Sequence, residues 1–190
     1  MKKEEKLQIT KDKLVDAAYK LMKECNDPSE VTSRAIAQEA DVKLAMVNYC
    51  FGSREELLFT AAMKDEAFYK QQFKFGEILE KDLSPKEKLR QMYYAVGDYL
   101  INSYKFTKAL TGYVLLHRDL ASGLTSYPLV KAHYGDRKED WEVRLIAYEL
   151  SSMMQLMIFR AEELSEYAGI DIGREIKKII DIRLDLLLED

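Results

Sequence analysis

Residues 31–58 read Val-Thr-Ser-Arg-Ala-Ile-Ala-Gln-Glu-Ala-Asp-Val-Lys-Leu-Ala-Met-Val-Asn-Tyr-Cys-Phe-Gly-Ser-Arg-Glu-Glu-Leu-Leu, and their pattern decides the fold. Thr32 stands where a helix N-cap belongs, and Ile36, Ala37 and Ala40 follow on one face at helical spacing. Asp41 marks a tight turn, because aspartate tolerates the left-handed backbone region better than most residues. A second short helix is pinned to the core by Val42 and Val47 and ends at Phe51. Ser53 and Glu56 then form a capping box that opens a further helix, with Leu57, Leu58 and Ala61 beginning its buried face. Two short helices about one turn, followed by a third helix start, predict a helix-turn-helix whose second helix can enter the major groove of DNA.

The flanking sequence is helical on both sides. Thr10 is expected to cap a first helix carrying Leu14, Ala17, Ala18, Leu21 and Cys25, which Asn26-Asp27-Pro28-Ser29 breaks. The helix opened at Ser53 is expected to run into the low seventies. Ser84-Pro85 starts another, with Leu89, Met92, Tyr93, Val96 and Leu100 on its apolar face. Leu110 and Val114 line the next, which lapses into a loop at Ala121-Ser122-Gly123. Tyr127-Pro128 begins a shorter helix, the longest pattern runs from Arg137 to about Glu166, and a last helix starts near Asp171. The fold class is all-α.

Composition agrees. Hydrophobic residues make up 47% of 190, enough for a sizeable core and too many for a disordered chain. Eight glycines and three prolines are too few for an all-β architecture with many tight turns. Cys25 and Cys50 set no disulfide framework and are expected as reduced, partly buried thiols. The charged N-terminus lacks the apolar stretch of a signal peptide, and no segment approaches the roughly 20 apolar residues of a membrane span, so the expected location is the cytoplasm with no membrane partner. Net charge is −4: residues 1–54 carry ten Lys/Arg against nine Asp/Glu, the rest nineteen against twenty-four. DNA affinity must therefore come from a few placed cations and helix N-termini rather than from a general positive field.

The first 58 residues resemble the DNA-binding domain of the TetR family, the tetracycline-repressor-type regulators. Thr32, Ala35-Ile36-Ala37, Glu39-Ala40-Asp41-Val42 and the run Val47–Leu58 carry the resemblance, about 30% of the chain. It implies a head over residues 1–54 and a larger helical domain over 55–190 that binds a small-molecule effector and pairs two copies through its last long helices. Asn48 and Cys50 depart from the family, standing where an aromatic residue and a histidine are frequent, which alters readout more than fold.

Independently of the resemblance, residue chemistry suggests the contacts. Leu44, Ala45 and Met46 suit close approach to thymine methyls, and Asn48 can pair with an adenine edge. Thr32, Ser33 and Tyr49 can hydrogen-bond phosphate, while Lys43, Arg34 and Arg54 add charge near the cap residue Ser53. In the second domain the near-continuous apolar run of residues 145–161 needs partners on two sides, and with the last helix it suggests a homodimer interface using Met153, Met157, Ile176, Ile180 and Leu184. Tyr93, Phe106, Tyr113, His117 and Trp141 are candidate lining for a hydrophobic or aromatic ligand.

Catalysis finds no support: no catalytic residue, cofactor or metal site is expected. Neither histidine completes a Glu-x-x-His pair and no glycine-rich phosphate loop is present. The expected function is a ligand-responsive regulator, a repressor, that binds a palindromic double-stranded operator as a homodimer and is released by an effector. The alternative is a helical adaptor or small-molecule-binding protein of the same fold acting without operator DNA.

Overall fold

Side-chain caps fix where four of the helices begin. The hydroxyl oxygens of Thr32, Ser53 and Ser84 accept the backbone N–H groups of Ala35 (3.1 Å), Glu56 (3.0 Å) and Glu87 (3.2 Å), and the Asp171 carboxylate accepts that of Arg174 (3.0 Å). Each satisfies a donor that has no partner within the helix, an arrangement whose loss costs about 1 kcal/mol. The computed structural model describes residues 3–65, 75–117, 119–120 and 124–189, and these form helices with no strand among them. In order they are α1 (Lys3–Glu24), a 3₁₀ turn (Pro28–Glu30), α2 (Ser33–Glu39), α3 (Ala45–Phe51), α4 (Arg54–Ala62), a second 3₁₀ turn (Met63–Asp65), α5 (Phe75–Glu80), α6 (Pro85–Asn102), α7 (Tyr104–His117), α8 (Tyr127–Tyr134), α9 (Asp140–Phe159), α10 (Ala161–Ala168) and α11 (Ile172–Leu187).

Three boundaries differ from the sequence reading. The first helix begins at Lys3, and Thr10 lies inside it, donating its hydroxyl hydrogen back to the Lys6 carbonyl (2.9 Å) instead of capping. The helix opened at Ser53 stops at Ala62 in the 3₁₀ turn; its expected continuation into the low seventies falls on 66–74, outside the described residues, as does the loop at 121–123. The long pattern ending near Glu166 is broken at Arg160 (φ −104°, ψ 24°), dividing α9 from α10. Gly169, at φ 67°, takes the left-handed turn that ends α10. No helix among the described residues is long and apolar enough to cross a membrane.

Two apolar clusters organise the chain. The first joins Leu14, Ala18 and Met22 of α1 to Ile36 of α2, Val47 of α3 and Leu57, Leu58 and Ala61 of α4. The boundary expected at residue 54 falls inside this cluster, because α4 packs with it as far as Ala62 and Leu110 of α7 leans against it. The second cluster joins Leu89 and Tyr93 of α6, Val130 of α8, Val143 and Ile158 of α9 and Ile180 and Leu184 of α11. Polar ties fasten its rim. Arg90 of α6 pairs with Asp181 of α11 (2.9 Å), whose carboxylate also accepts the Tyr94 hydroxyl (2.6 Å). Burial and the Asp181 carboxylate together push the Tyr94 phenol up to about 12. Asp140, at the start of α9, accepts from Tyr127 and Arg144, and these bonds hold its carboxyl down to about 2.

The two mid-helix glycines have different surroundings. At Gly97 a Cβ would lie 3.2 Å from both Ile176 Cγ1 and Ile180 Cδ1, so the glycine lets α6 approach α11 closely. At Gly112 of α7 it would meet nothing within 4 Å. Gly112→Ala is therefore expected to raise stability by about 0.5–1 kcal/mol, the ordinary helix-interior difference, whereas Gly97→Val should lower it by about 1–3 kcal/mol through overpacking. Urea denaturation of the two variants checks both signs.

Candidate nucleic-acid interface

The turn between α2 and α3 is closed by backbone geometry that the sequence permits at one position. Asp41 adopts φ 51° and donates its N–H to the Gln38 carbonyl (3.2 Å), while Val42 donates to Ala37 (3.0 Å). This is a Schellman closure of α2 with aspartate in the left-handed site. It aims the chain into α3, which starts at Ala45 without a side-chain cap. An ion pair between Lys20 and Glu39 (2.6 Å) holds α2 on α1.

α3 has a buried and an exposed side. Val47 is fully buried, and Met46, Cys50 and Phe51 are half-buried against the first cluster. Burial pushes the Cys50 thiol up from its ordinary value. On the other side Leu44 is 47% and Tyr49 65% exposed, with Lys43, Ala45 and Asn48 also at the surface. Met46, expected among the groove contacts, thus gives part of its surface to the core. Thr32 and Arg34 are exposed beside this face and Ser33 is half-buried. The hydroxyls of Thr32 and Ser53 accept their caps and keep a hydrogen to donate outward.

Arg54 is differently placed from the others. Its Nη1 donates to the carbonyl oxygens of Ser29 (2.9 Å) and Val31 (3.3 Å), and its Nε donates to Glu55 (3.0 Å). The guanidinium expected to add free charge is instead turned onto the 3₁₀ turn that precedes α2.

Behind the head lies a cavity of about 140 Å³. Phe59 and Met63 from α4 and the turn after it, Tyr99 from α6, Leu110 and Thr111 from α7 and Gln155 from α9 help line it, and among the described residues no charged side chain does. Its lining is missed by sequence reasoning, because a cavity between four helices leaves no local pattern.

The chain is similar to the structure of a TetR-like transcriptional regulator from Rhodococcus sp. RHA1, with 19% sequence identity, a TM-score of 0.47 and coverage of 94% of this chain and 91% of that one. No family model and no curated protein matches the chain.

Among the described residues, the aromatic side chains expected in a pocket do not all line one cavity. Tyr93 is buried in the second cluster with its hydroxyl 3.1 Å from that of Ser151, and Trp141 is 63% exposed. Tyr113 stacks on the exposed His117 (4.3 Å between centroids) and approaches Phe59 (5.5 Å), a residue of the cavity lining, without itself lining the cavity. The Phe106 side chain lies outside the described residues. Of the five residues expected between copies, three lie inside the chain itself. Ile176, Ile180 and Leu184 are buried in the chain's own core, the stripe by which α11 packs on α6 and α9. Met153 and Met157 are half-buried and line a crevice of about 20 Å³ between α9 and α11, room for one water.

Proposed function

We propose that the chain is a transcriptional regulator acting as a repressor, a homodimer that reads a palindromic DNA operator through α3 and lets go when a small neutral effector binds. The observation that carries this reading is the outward face of α3. Lys43, Leu44, Ala45, Asn48 and Tyr49 stand at the surface of a short helix whose opposite side is pinned by Val47, directly after a tight turn. A helix so presented suits the major groove. Asn48 matches an adenine edge, Ala45 and Leu44 match thymine methyls, and Lys43 and Tyr49 match the flanking phosphates.

Pairing of two copies is supported by apolar surface that the chain leaves uncovered. On α9, Trp141, Leu145, Tyr148 and Leu156 recur on the side opposite Val143, Ala147, Leu150, Met154 and Ile158. On α11, Ile182 and Leu186 point away from the buried Ile176, Ile180 and Leu184. An ion pair from Arg183 to Glu149 ties the two helices together. Two such helix pairs would make a four-helix seam related by a two-fold axis, matching the symmetry of a palindrome.

The effector site in this reading is the cavity between α4, α6, α7 and α9. Its uncharged lining fits a neutral, mostly apolar molecule with a few hydrogen-bonding groups. Occupancy would act on α4, which belongs to the head by packing and to the cavity by Phe59. Coupling of about 1–3 kcal/mol would change operator affinity roughly 5- to 150-fold.

Selection of bound duplexes from a random-sequence library tests the reading. The expected result is enrichment of a palindrome whose half-sites lie one helical turn apart, and no enrichment at any salt concentration would sink it. Asn48→Ala should then relax preference at one base position of each half-site by about 1–3 kcal/mol while leaving the other positions unchanged.

A further inference from the structure

The 3₁₀ turn at Pro28–Glu30 is a second place, besides α4, at which the body of the protein meets the head. It packs against α7, Pro28 is buried, and Leu110 of α7 leans on the head cluster. Lys108, on the same helix, lies within electrostatic reach of Asp27, the residue that caps the turn. The turn precedes α2 and α4 follows α3, so α7 touches the helix-turn-helix at both of its chain ends. The Arg54 side chain joins those ends. Arg54, the first residue of α4, gives two N–H bonds to carbonyls of the turn and its edge (Ser29, 2.9 Å; Val31, 3.3 Å) and is steadied by Glu55 (3.0 Å).

We propose that Arg54 is a positioning residue that fastens the entry and exit of the helix-turn-helix into one rigid unit seated on α7, and that it is not a phosphate contact. The chemistry favours arginine for this task. A planar guanidinium can reach two carbonyls with one nitrogen while its other edge meets a carboxylate, a geometry that a lysine ammonium on a thin stem cannot reproduce. The same fork, turned onto backbone acceptors, has little left to offer a phosphate. The consequence is that α7 can orient the reading helix through the turn as well as through α4.

Lysine separates the two roles, because it keeps the positive charge and loses the fork. The full-length protein and its Arg54→Lys and Arg54→Ala variants are compared by backbone amide hydrogen exchange over residues 29–32. Their affinity for the duplex enriched by the wild-type protein is measured across a salt series. If Arg54 is a clamp, both variants exchange on the order of tenfold faster at these amides, as expected for loss of charge-assisted bonds. Both also lose affinity to a similar extent, on the order of tenfold, and the slope of affinity against salt stays at the wild-type value. Wild-type affinity in Arg54→Lys, with a shallower salt slope in Arg54→Ala, would identify a phosphate contact and overturn the proposal. The affinity arm rests on the DNA-binding reading, whereas the exchange arm does not. A wild-type protein that retains no duplex therefore refutes that reading alone, and unchanged exchange in Arg54→Ala overturns the clamp whatever the DNA result.

Discussion

Replacing Leu145 and Leu186 together by lysine is expected to leave a folded, monomeric chain whose affinity for its operator is about 10²- to 10⁴-fold weaker. Both side chains are largely exposed, at 58% and 61%, and neither belongs to an internal cluster, so little stability within one copy is at risk. Between copies the effect would be large, since four buried ammonium groups would sit in an apolar seam. In the proposed function the loss of affinity follows because one short helix with few cations would bind weakly, and the second half-site would contribute only when it is tethered to the first. Sedimentation equilibrium and a binding isotherm measured on the same samples check the two parts. A variant that keeps a dimer's mass would mean that copies do not meet through α9 and α11.

A second large effect is expected from Leu57→Ala. Leu57 is fully buried at the start of α4, where α1, α3 and α4 come together. Truncating a leucine at such a site costs about 2–5 kcal/mol, which is much of the stability of an ordinary domain. Because α3 is held by only a few apolar side chains, Val47 foremost, loosening the cluster should also release the reading helix. The expected outcome is a denaturation midpoint shifted well below wild type, together with loss of duplex binding near that midpoint. A shift of less than about 1 kcal/mol would show that the head collapses around the missing side chain.

What could be read from the sequence follows the range over which each feature is determined. The caps at Thr32, Ser53, Ser84 and Asp171 and the left-handed Asp41 are decided within four residues, and each stands where its pattern indicates. Thr10 misled because the residues before it contain no breaker, so helix propensity carried α1 back to Lys3 and left the threonine in its interior. The division at Arg160 has no local signature either, since neither glycine nor proline stands near it. An apolar stripe shows that a helix is covered but not by which neighbour, and for that reason Ile176, Ile180 and Leu184 pointed to a partner copy when their partners were α6 and α9. Arg54 was legible as a charge and illegible as a clamp, because the groups it holds are backbone carbonyls 23 and 25 residues earlier, and such acceptors carry no residue-type signal.

Leu110 bears on the autonomy of the head. It comes from the seventh helix yet packs against the apolar cluster of the head. A fragment severed after Ala62 would bare that patch to water, so the amino-terminal unit borrows part of its lid from a distant stretch of chain. The two halves of the molecule are consequently not independent modules, and melting one should drag on the other.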